Sequence, residues 1–332
     1  MFFVETSQLW TQAFDYANAM NDSLVKIMRH SSDTPLSYFL LPLIAALIFS
    51  GNVIATKMAA GVIAPGAIGF YRWLIAGIVL TPFVLPGLWR MRHSVRPHLG
   101  KLAVLGGLGM ALYQGLAYVA AADTTAIKMG LILSMIPLMT VAVSALVLRE
   151  RPPINAILGG AVSLAGLALL LSEGHPLALL TAGVGRGDVM MFCASLAYAL
   201  YGVLVRKWSL PIGAWQSLYV QIGFGLLFQL PTFLVAPHSP LNSHNLPLVA
   251  FAGIFPSLFA PFLWMQGIRL LGPSRTSIFM NVIPIATAAI AALFLGEALH
   301  AYDFEGGAIT LIGVLIVQMP RAPRVSIKLA QV

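Results

Sequence analysis

The most constraining feature of the sequence is an internal repeat of 45 residues. Residues 128–172 recur as residues 275–319 at a constant offset of 147, without a gap, and 13 of the 45 pairs are identical. Both copies are apolar enough to cross a bilayer. Membrane proteins built from two such halves commonly bind a solute where the halves meet. The repeat therefore predicts a duplicated membrane protein with its functional site between the two copies.

The composition supports a membrane location. The chain has 332 residues, of which 59% are hydrophobic and 9% are charged, whereas a soluble domain carries about 25% charged residues. Apolar runs of roughly 20 residues, the length that spans a ~30 Å hydrocarbon core, alternate with short charged clusters. The chain holds ten such runs. We therefore expect an all-α integral membrane protein with ten transmembrane helices.

The positions of lysine and arginine predict the orientation of these helices. If the N-terminus is cytoplasmic, 15 of the 19 basic residues fall on the cytoplasmic side, as the positive-inside rule requires. Both termini are then cytoplasmic, loops 91–100 and 208–211 face the cytoplasm, and loop 236–246 faces outside. The net charge of +8 is thus explained by lipid topology, and we expect no nucleic-acid partner.

The repeat and the topology together predict an inverted architecture. Upstream of the strong match, residues 52–57 align more weakly with residues 201–206, so each repeat contains five spans. Because five is odd, the two halves have opposite orientations and can exchange conformations, which permits alternating access. The expected organisation is a cytoplasmic segment 1–37 (an interfacial helix or an over-extended start), a first repeat 38–172, an external linker 173–187, a second repeat 188–320 and a basic cytoplasmic tail 321–332.

Four short stretches resemble a known family. They are Ser50–Lys57, the triplet Tyr71-Arg72-Trp73, and the paired span ends Leu148-Arg149-Glu150 and Leu295-Gly296-Glu297. With the five-plus-five repeat, this ordered set resembles the EamA-type members of the drug/metabolite transporter superfamily. The resemblance implies ten helices, a central cavity and transport of small metabolites, often amino acids leaving a bacterial cell through its inner membrane.

Polar and ring-bearing residues inside apolar runs are the candidate substrate contacts. An unpaired buried amide costs a few kcal/mol, so Asn52 and Asn281 need a helix neighbour, a water molecule or substrate as partner. The rings of Tyr113, Tyr201 and Trp264 suit an amphipathic organic solute, and packing in the helical core is their alternative role. We expect these five residues to bind the substrate.

Two prolines are expected to break equivalent helices. Pro137 and Pro284 occupy matching positions in the repeat, and each frees the carbonyl four residues earlier, at Leu133 and Met280. Such breaks often line or gate a transport pathway, although they also occur as packing kinks.

Arg72 and Trp73 open the second apolar run, near residues 67–88, and are interpreted as interfacial. Arg72, like Lys57, could attract a carboxylate, but we expect it to extend its charge to the lipid headgroups. Trp73 is expected to belong to an aromatic belt at the membrane surface.

The sequence shows no metal-ligand spacing and no nucleophile motif, so we expect neither cofactor nor catalysis. No Asp or Glu lies near the centre of a predicted span, so a carboxylate proton relay is not expected.

The favoured interpretation is a secondary transporter that exports small organic metabolites by alternating access. A nucleotide-sugar or sugar-phosphate exchanger is an alternative that would need several cavity cations. A membrane-embedded protein that transports nothing is another alternative.

Overall fold

The computed structural model describes residues 37–149, 154–175, 184–237, 239–271 and 278–318. All regular elements within these ranges are helical. The predictions for most of the N-terminal segment, for the middle of the external linker and for the basic tail lie outside the described residues, as does Glu150 of the family-like stretch.

The first half of the described chain contains eight α-helices: α1 (Ser37–Ala59), α2 (Pro65–Arg90), α3 (Arg92–Val95), α4 (Leu99–Gly106), α5 (Tyr113–Asp123), α6 (Ala126–Ser134), α7 (Ile136–Val147) and α8 (Ile154–Leu171). The second half contains six: α9 (Arg186–Trp208), α10 (Ala214–Val235), α11 (Leu246–Ile254), α12 (Ala260–Leu271), α13 (Val282–Phe294) and α14 (Ala301–Gln318). Short 3₁₀ turns at Arg96–His98 and Ile278–Asn281 precede α4 and α13.

Six stretches of the described chain are long and apolar enough to cross a membrane, and a seventh is added if α6 and α7, which are bent by 42°, form one span. Ile157–Leu171 and Phe279–Phe294 are shorter apolar helices. The prediction of an all-α multi-pass membrane protein is therefore confirmed for the described residues. The count of ten spans stays a prediction.

Two continuous helices contain a π-helical turn at the same repeat position. The turn Gly107–Leu112 joins α4 to α5, and the turn Phe255–Phe259 joins α11 to α12. The turns end at Leu112 and Phe259, which are separated by the same 147 residues that separate Ser163 from Thr310. A π turn leaves one backbone carbonyl without its usual helical donor and often occurs at functional sites.

The helices pack in matching pairs. In the first half α1 lies against α12 and α13, and in the second half its counterpart α9 lies against α5 and α7. Likewise α2 lies against α11, and its counterpart α10 lies against α4. Two further pairs, α2 with α10 and α8 with α14, each join a helix to its own counterpart. Exchanging the halves thus leaves this packing pattern unchanged.

The helices α8 and α14 approach each other closely. A Cβ atom added to Gly166 would lie 2.7 Å from the carbonyl oxygen of Gly306, and one added to Gly313 would lie 2.5 Å from that of Gly159. The two contacts are equivalent, because Gly159 corresponds to Gly306 and Gly166 to Gly313 in the repeat. Gly159 of α8 contacts Gly313 of α14, and the later Gly166 contacts the earlier Gly306. The two helices therefore run antiparallel. Small residues permit this backbone-to-backbone packing in membranes.

Charged side chains complete the ends of two helices that flank the candidate site. The carboxylate of Glu297 accepts hydrogen bonds from the backbone nitrogens of Ala126 (2.9 Å) and Ile127 (3.2 Å), which are the first residues of α6. Lys57 donates to the carbonyl oxygens of Ala121 (2.9 Å) and Thr124 (2.5 Å) at the end of α5. An anion at a helix start and a cation at a helix end both satisfy unpaired backbone groups and oppose the helix dipole.

Candidate functional site

A cavity of about 560 Å³ lies between the two halves. We call it the central cavity. Its walls come from α1, α2, the α4–α5 helix, α6, α7, α9, α10, the α11–α12 helix and the start of α13, and most of them are apolar or aromatic. The volume suits a small organic solute rather than a macromolecule.

Equivalent residues of the two repeats line this cavity. Five pairs of lining residues match at the offset of 147 residues: Gly109 with Pro256, Met110 with Ser257, Gln114 with Pro261, Leu133 with Met280, and Ile136 with Ile283. Asn52 and Tyr201, which pair in the weaker alignment of residues 52–57 with 201–206, line it as well. Matching residues of both halves therefore bound the cavity. Pairs such as Asn52 with Tyr201 differ in chemistry, so the cavity is symmetric in position and asymmetric in polarity.

Four of the five predicted contact residues line the central cavity: Asn52, Tyr113, Tyr201 and Trp264. Substrate binding by these residues stays a prediction. The rings form two groups on its walls. Tyr198 lies between Tyr113 and Tyr201, with ring centroids 4.8 and 5.6 Å away. Trp264 packs edge-on against Phe49 at 6.5 Å.

Asn281 is the fifth predicted contact and is not among the lining residues. Its Nδ2 atom is buried and has no hydrogen-bond partner among the described residues. Met280 and Ile283, on either side of it in sequence, do line the cavity. The amide is therefore beside lining residues in sequence without being part of the lining.

The two predicted helix-breaking prolines occupy different places. Pro137 lines the central cavity at the bend between α6 and α7, whereas Pro284 is buried outside the lining. Leu133 and Met280, whose carbonyls the prolines leave without a helical donor, both line it. The chain is thus interrupted at the equivalent position in both halves. A gating role for these breaks stays a prediction.

Arg72 is a functional candidate for which the sequence favoured a different role. Its side chain lines the central cavity and the residue is only 2% exposed, so the prediction of an interfacial arginine was wrong. Its Nε donates to Ser257 Oγ at 2.9 Å, and its Nη1 donates to Asn52 Oδ1 at 3.2 Å and Tyr118 Oη at 3.3 Å. Neutral oxygens from three other helical segments therefore hold the guanidinium inside the protein.

Trp73 was also wrongly predicted to lie in an interfacial belt. It is buried and lines the central cavity, and its ring centroid lies 5.1 Å from the guanidinium carbon of Arg72. Its Nε1 donates to the carbonyl oxygen of Met110 at 2.9 Å, within the first π turn. That carbonyl also accepts a hydrogen bond from Gln229. The π turn therefore anchors the indole beside the charge, where a cation–π contact is favourable.

The second π turn positions Ser257 in the same way. Pro256 has no backbone N–H, so the carbonyl of Ala252, four residues earlier, lacks its helical donor. The hydroxyl of Ser257 donates to that carbonyl at 2.7 Å. Its oxygen then accepts the hydrogen bond from Arg72. A proline, a π turn and a serine thus combine to direct one acceptor at the arginine.

Two stretches of the chain, residues 36–172 and 185–319, match the model of the EamA-like transporter family. The chain belongs to this family. The two matched stretches together cover most of the sequence, so the EamA domain occurs twice, in agreement with the internal repeat.

Full-length relatives of this EamA-like protein are also transporters by name. It is 25% identical to the uncharacterized transporter YyaM of Bacillus subtilis, over 82% of this chain and 92% of that protein. It is 26% identical to an uncharacterized transporter of Archaeoglobus fulgidus, over 83% of this chain and 96% of that protein. A probable terminal-alkyne amino-acid exporter of Streptantibioticus cattleyicolor is 22% identical, over 74% of this chain and 81% of that protein.

A solved crystal structure has the same fold. It covers 84% of this chain and 96% of its own, with a TM-score of 0.54 and 21% sequence identity. At this identity the likeness concerns the fold alone.

Proposed function

We propose that this EamA-like protein is a secondary transporter that exports small organic metabolites, amino acids or related amphipathic solutes, across the bacterial plasma membrane by alternating access. The observation that carries the proposal is the central cavity. Matching residues of both repeats line it, as expected of a site that two exchangeable halves enclose.

The proposal includes ten spans in two inverted repeats. One support is the antiparallel contact of α8 with α14. The other is that helices in one half make the same contacts as their counterparts in the other half. When two membrane-spanning counterparts run antiparallel, the axis between them lies in the membrane plane. Rearrangement of each half into the conformation of the other then moves the opening from one face of the membrane to the other.

The chemistry of the lining favours an amphipathic solute. Aromatic rings provide apolar surface, while Asn52, Gln114 and Arg72 provide polar groups. Arg72 is the one cation among the lining residues that the structure describes, which disfavours phosphate-rich solutes such as nucleotide sugars. The same described lining holds no carboxylate, so we propose movement down the solute gradient rather than through a carboxylate proton relay. The exporter named among the relatives supports the direction.

Efflux from cells tests this function. Cells that over-express the protein are loaded with radiolabelled phenylalanine, a labelled nucleoside or a labelled aromatic carboxylate, and the rate of release is measured. We expect at least one of these solutes to leave faster than from cells with empty vector. Thr140→Trp is the matched control, because Thr140 lines the cavity and an indole at this position narrows the space for solute.

The control variant is expected to accumulate in the membrane normally and to release solute at the empty-vector rate. Equal release from cells with the wild-type protein and with Thr140→Trp would contradict transport through the central cavity.

A further inference from the structure

The guanidinium of Arg72 carries a charge that no described residue neutralises. All its polar partners, Ser257, Asn52 and Tyr118, are neutral, and none of the ion pairs within the described ranges includes it. A charge inside a membrane protein is expensive unless it is paired, and such residues commonly mark a substrate site. The neutral oxygens orient this cation, but an anion must come from elsewhere.

One edge of the guanidinium is open to the central cavity. Nε and Nη1 are occupied, whereas Nη2 makes no hydrogen bond to the described part of the chain. Nη2 is also absent from the inaccessible polar atoms that lack a partner. Because the residue is otherwise buried and lines the cavity, this nitrogen is reached from the cavity.

We propose that Arg72 is the anchor for a carboxylate group of the transported solute. This inference rests on the proposed function and narrows the substrate class to monocarboxylates with an apolar or aromatic body. Nη2 donates to a carboxylate oxygen, while Asn52, Tyr118 and Ser257 hold the plane of the guanidinium fixed. The indole ring of Trp73 packs against the guanidinium of Arg72 and helps to hold it in place. The rings of Trp264 and of the tyrosine group then receive the apolar body.

The described lining favours a monoanion over other charged groups. A phosphate monoester is largely a dianion and is usually bound by several donors and cations, but Arg72 is the one cation of this lining. An organic amine would need a carboxylate counter-charge, and the described lining has none. The carboxylate is therefore the group that this site neutralises.

A binding assay with matched ligands tests the anchor. Purified full-length protein in nanodiscs is equilibrated with tritiated 3-phenylpropionate. Unlabelled 3-phenylpropionate, its primary amide, phenethylamine and phenethyl phosphate are the competitors. The acid and the amide have nearly the same shape, so the ratio of their affinities measures the contribution of the negative charge to binding. We expect the acid to bind roughly ten- to hundredfold more tightly than the amide, the range expected for a charge-assisted hydrogen bond.

Variants test whether Arg72 causes the difference in affinity between the acid and the amide. Arg72→Gln is expected to bring the acid-to-amide ratio close to one, and Arg72→Lys is expected to keep part of it, because the charge remains without the planar fork. Lys57→Gln is the control, since Lys57 binds the end of α5 outside the cavity lining. It is expected to keep the wild-type ratio. If Arg72→Gln does not fold, the wild-type ratio and Arg72→Lys still decide the question.

Three results would overturn the anchor. They are equal affinity for acid and amide in the wild type, tighter binding of the phosphate or the amine than of the acid, and an unchanged ratio in Arg72→Gln. If solutes are exported through the cavity in the efflux assay while the ratio is one, the anchor fails and the proposed function stands. If no solute is exported and none binds, both fail.

Discussion

Replacement of Gly166 or Gly313 with leucine is expected to prevent stable packing of the two halves. A Cβ on Gly166 would lie 2.5 Å from the backbone nitrogen of Thr310, and one on Gly313 would lie 2.5 Å from the carbonyl oxygen of Gly159. These neighbours are backbone atoms, so no change of side-chain rotamer relieves the clash and the helices must separate. Overpacking of this kind costs about 3 kcal/mol or more. Thermal unfolding followed by size-exclusion chromatography in detergent measures the loss.

Gly202→Leu is the matched control for this experiment. Gly202 is also inside a helix, α9, but a Cβ added there meets no atom within 4 Å. A leucine at that exposed site is expected to leave the melting temperature near that of the wild type. Equal melting temperatures for the Gly166, Gly313 and Gly202 variants would refute the close contact between α8 and α14.

Removal of the indole of Trp264 is expected to weaken transport strongly. The ring lines the central cavity, and its loss removes apolar and aromatic contact with the solute. Trp264→Ala should therefore raise the apparent KM for the exported solute roughly tenfold or more, which corresponds to about 1.4 kcal/mol or more of binding. Expression and thermal stability should stay near wild type. The ring faces open space in the cavity, so its removal loses little packing beyond the contact with Phe49. Initial rates in proteoliposomes provide the measurement.

Trp208→Ala is the control for Trp264→Ala. Trp208 is the last residue of α9, and its ring lies 5.9 Å from the ammonium of Lys101, outside the cavity lining. Its loss should leave the apparent KM unchanged. If Trp264→Ala instead lowered stability and transported with wild-type KM, Trp264 would be a packing residue and not a substrate contact.

The class of fold could be predicted from local sequence features. Apolar runs depend only on residues close in sequence, and a membrane span satisfies its backbone hydrogen bonds within itself. The same reasoning selected Asn52, Tyr113, Tyr201 and Trp264 as candidates, and these four residues line the central cavity.

Arg72 shows why the rest could not be predicted. Its partners lie in α1, in α5 and in the second π turn, at sequence separations of 20, 46 and 185 residues. Each partner is a neutral residue, so no opposite charge in the sequence indicates a pair. A basic residue near the start of a predicted span is ordinarily interfacial. Only the packing of α2 against the π turns shows that it faces the cavity.

Asn281 illustrates a second limit, the rotation of a helix about its axis. A position inside an apolar run sets the depth of a residue in the membrane but not its direction. The 3₁₀ turn Ile278–Asn281 precedes α13. Met280 and Ile283 line the cavity, and Asn281, between them in sequence, does not.

The central claim is that one cavity opens alternately to the two sides of the membrane, and thiol labelling tests it without knowledge of the solute. Cys193 is the single cysteine of the chain, so Cys193→Ser gives a cysteine-free background. Thr140→Cys then places one thiol in the central cavity. Ser209→Cys and Leu241→Cys report the two loops expected on the cytoplasmic and external faces, and Ser163→Cys, fully buried between α8 and α14, is the inaccessible control.

A membrane-impermeant thiol reagent is applied to whole-cell spheroplasts and, separately, to inside-out vesicles. The account predicts modification of Thr140→Cys from both sides, of Leu241→Cys only from outside, of Ser209→Cys only from the cytoplasmic side, and of Ser163→Cys from neither. Modification of Thr140→Cys from one side only, with the loop controls labelled as expected, would contradict alternating access through the central cavity.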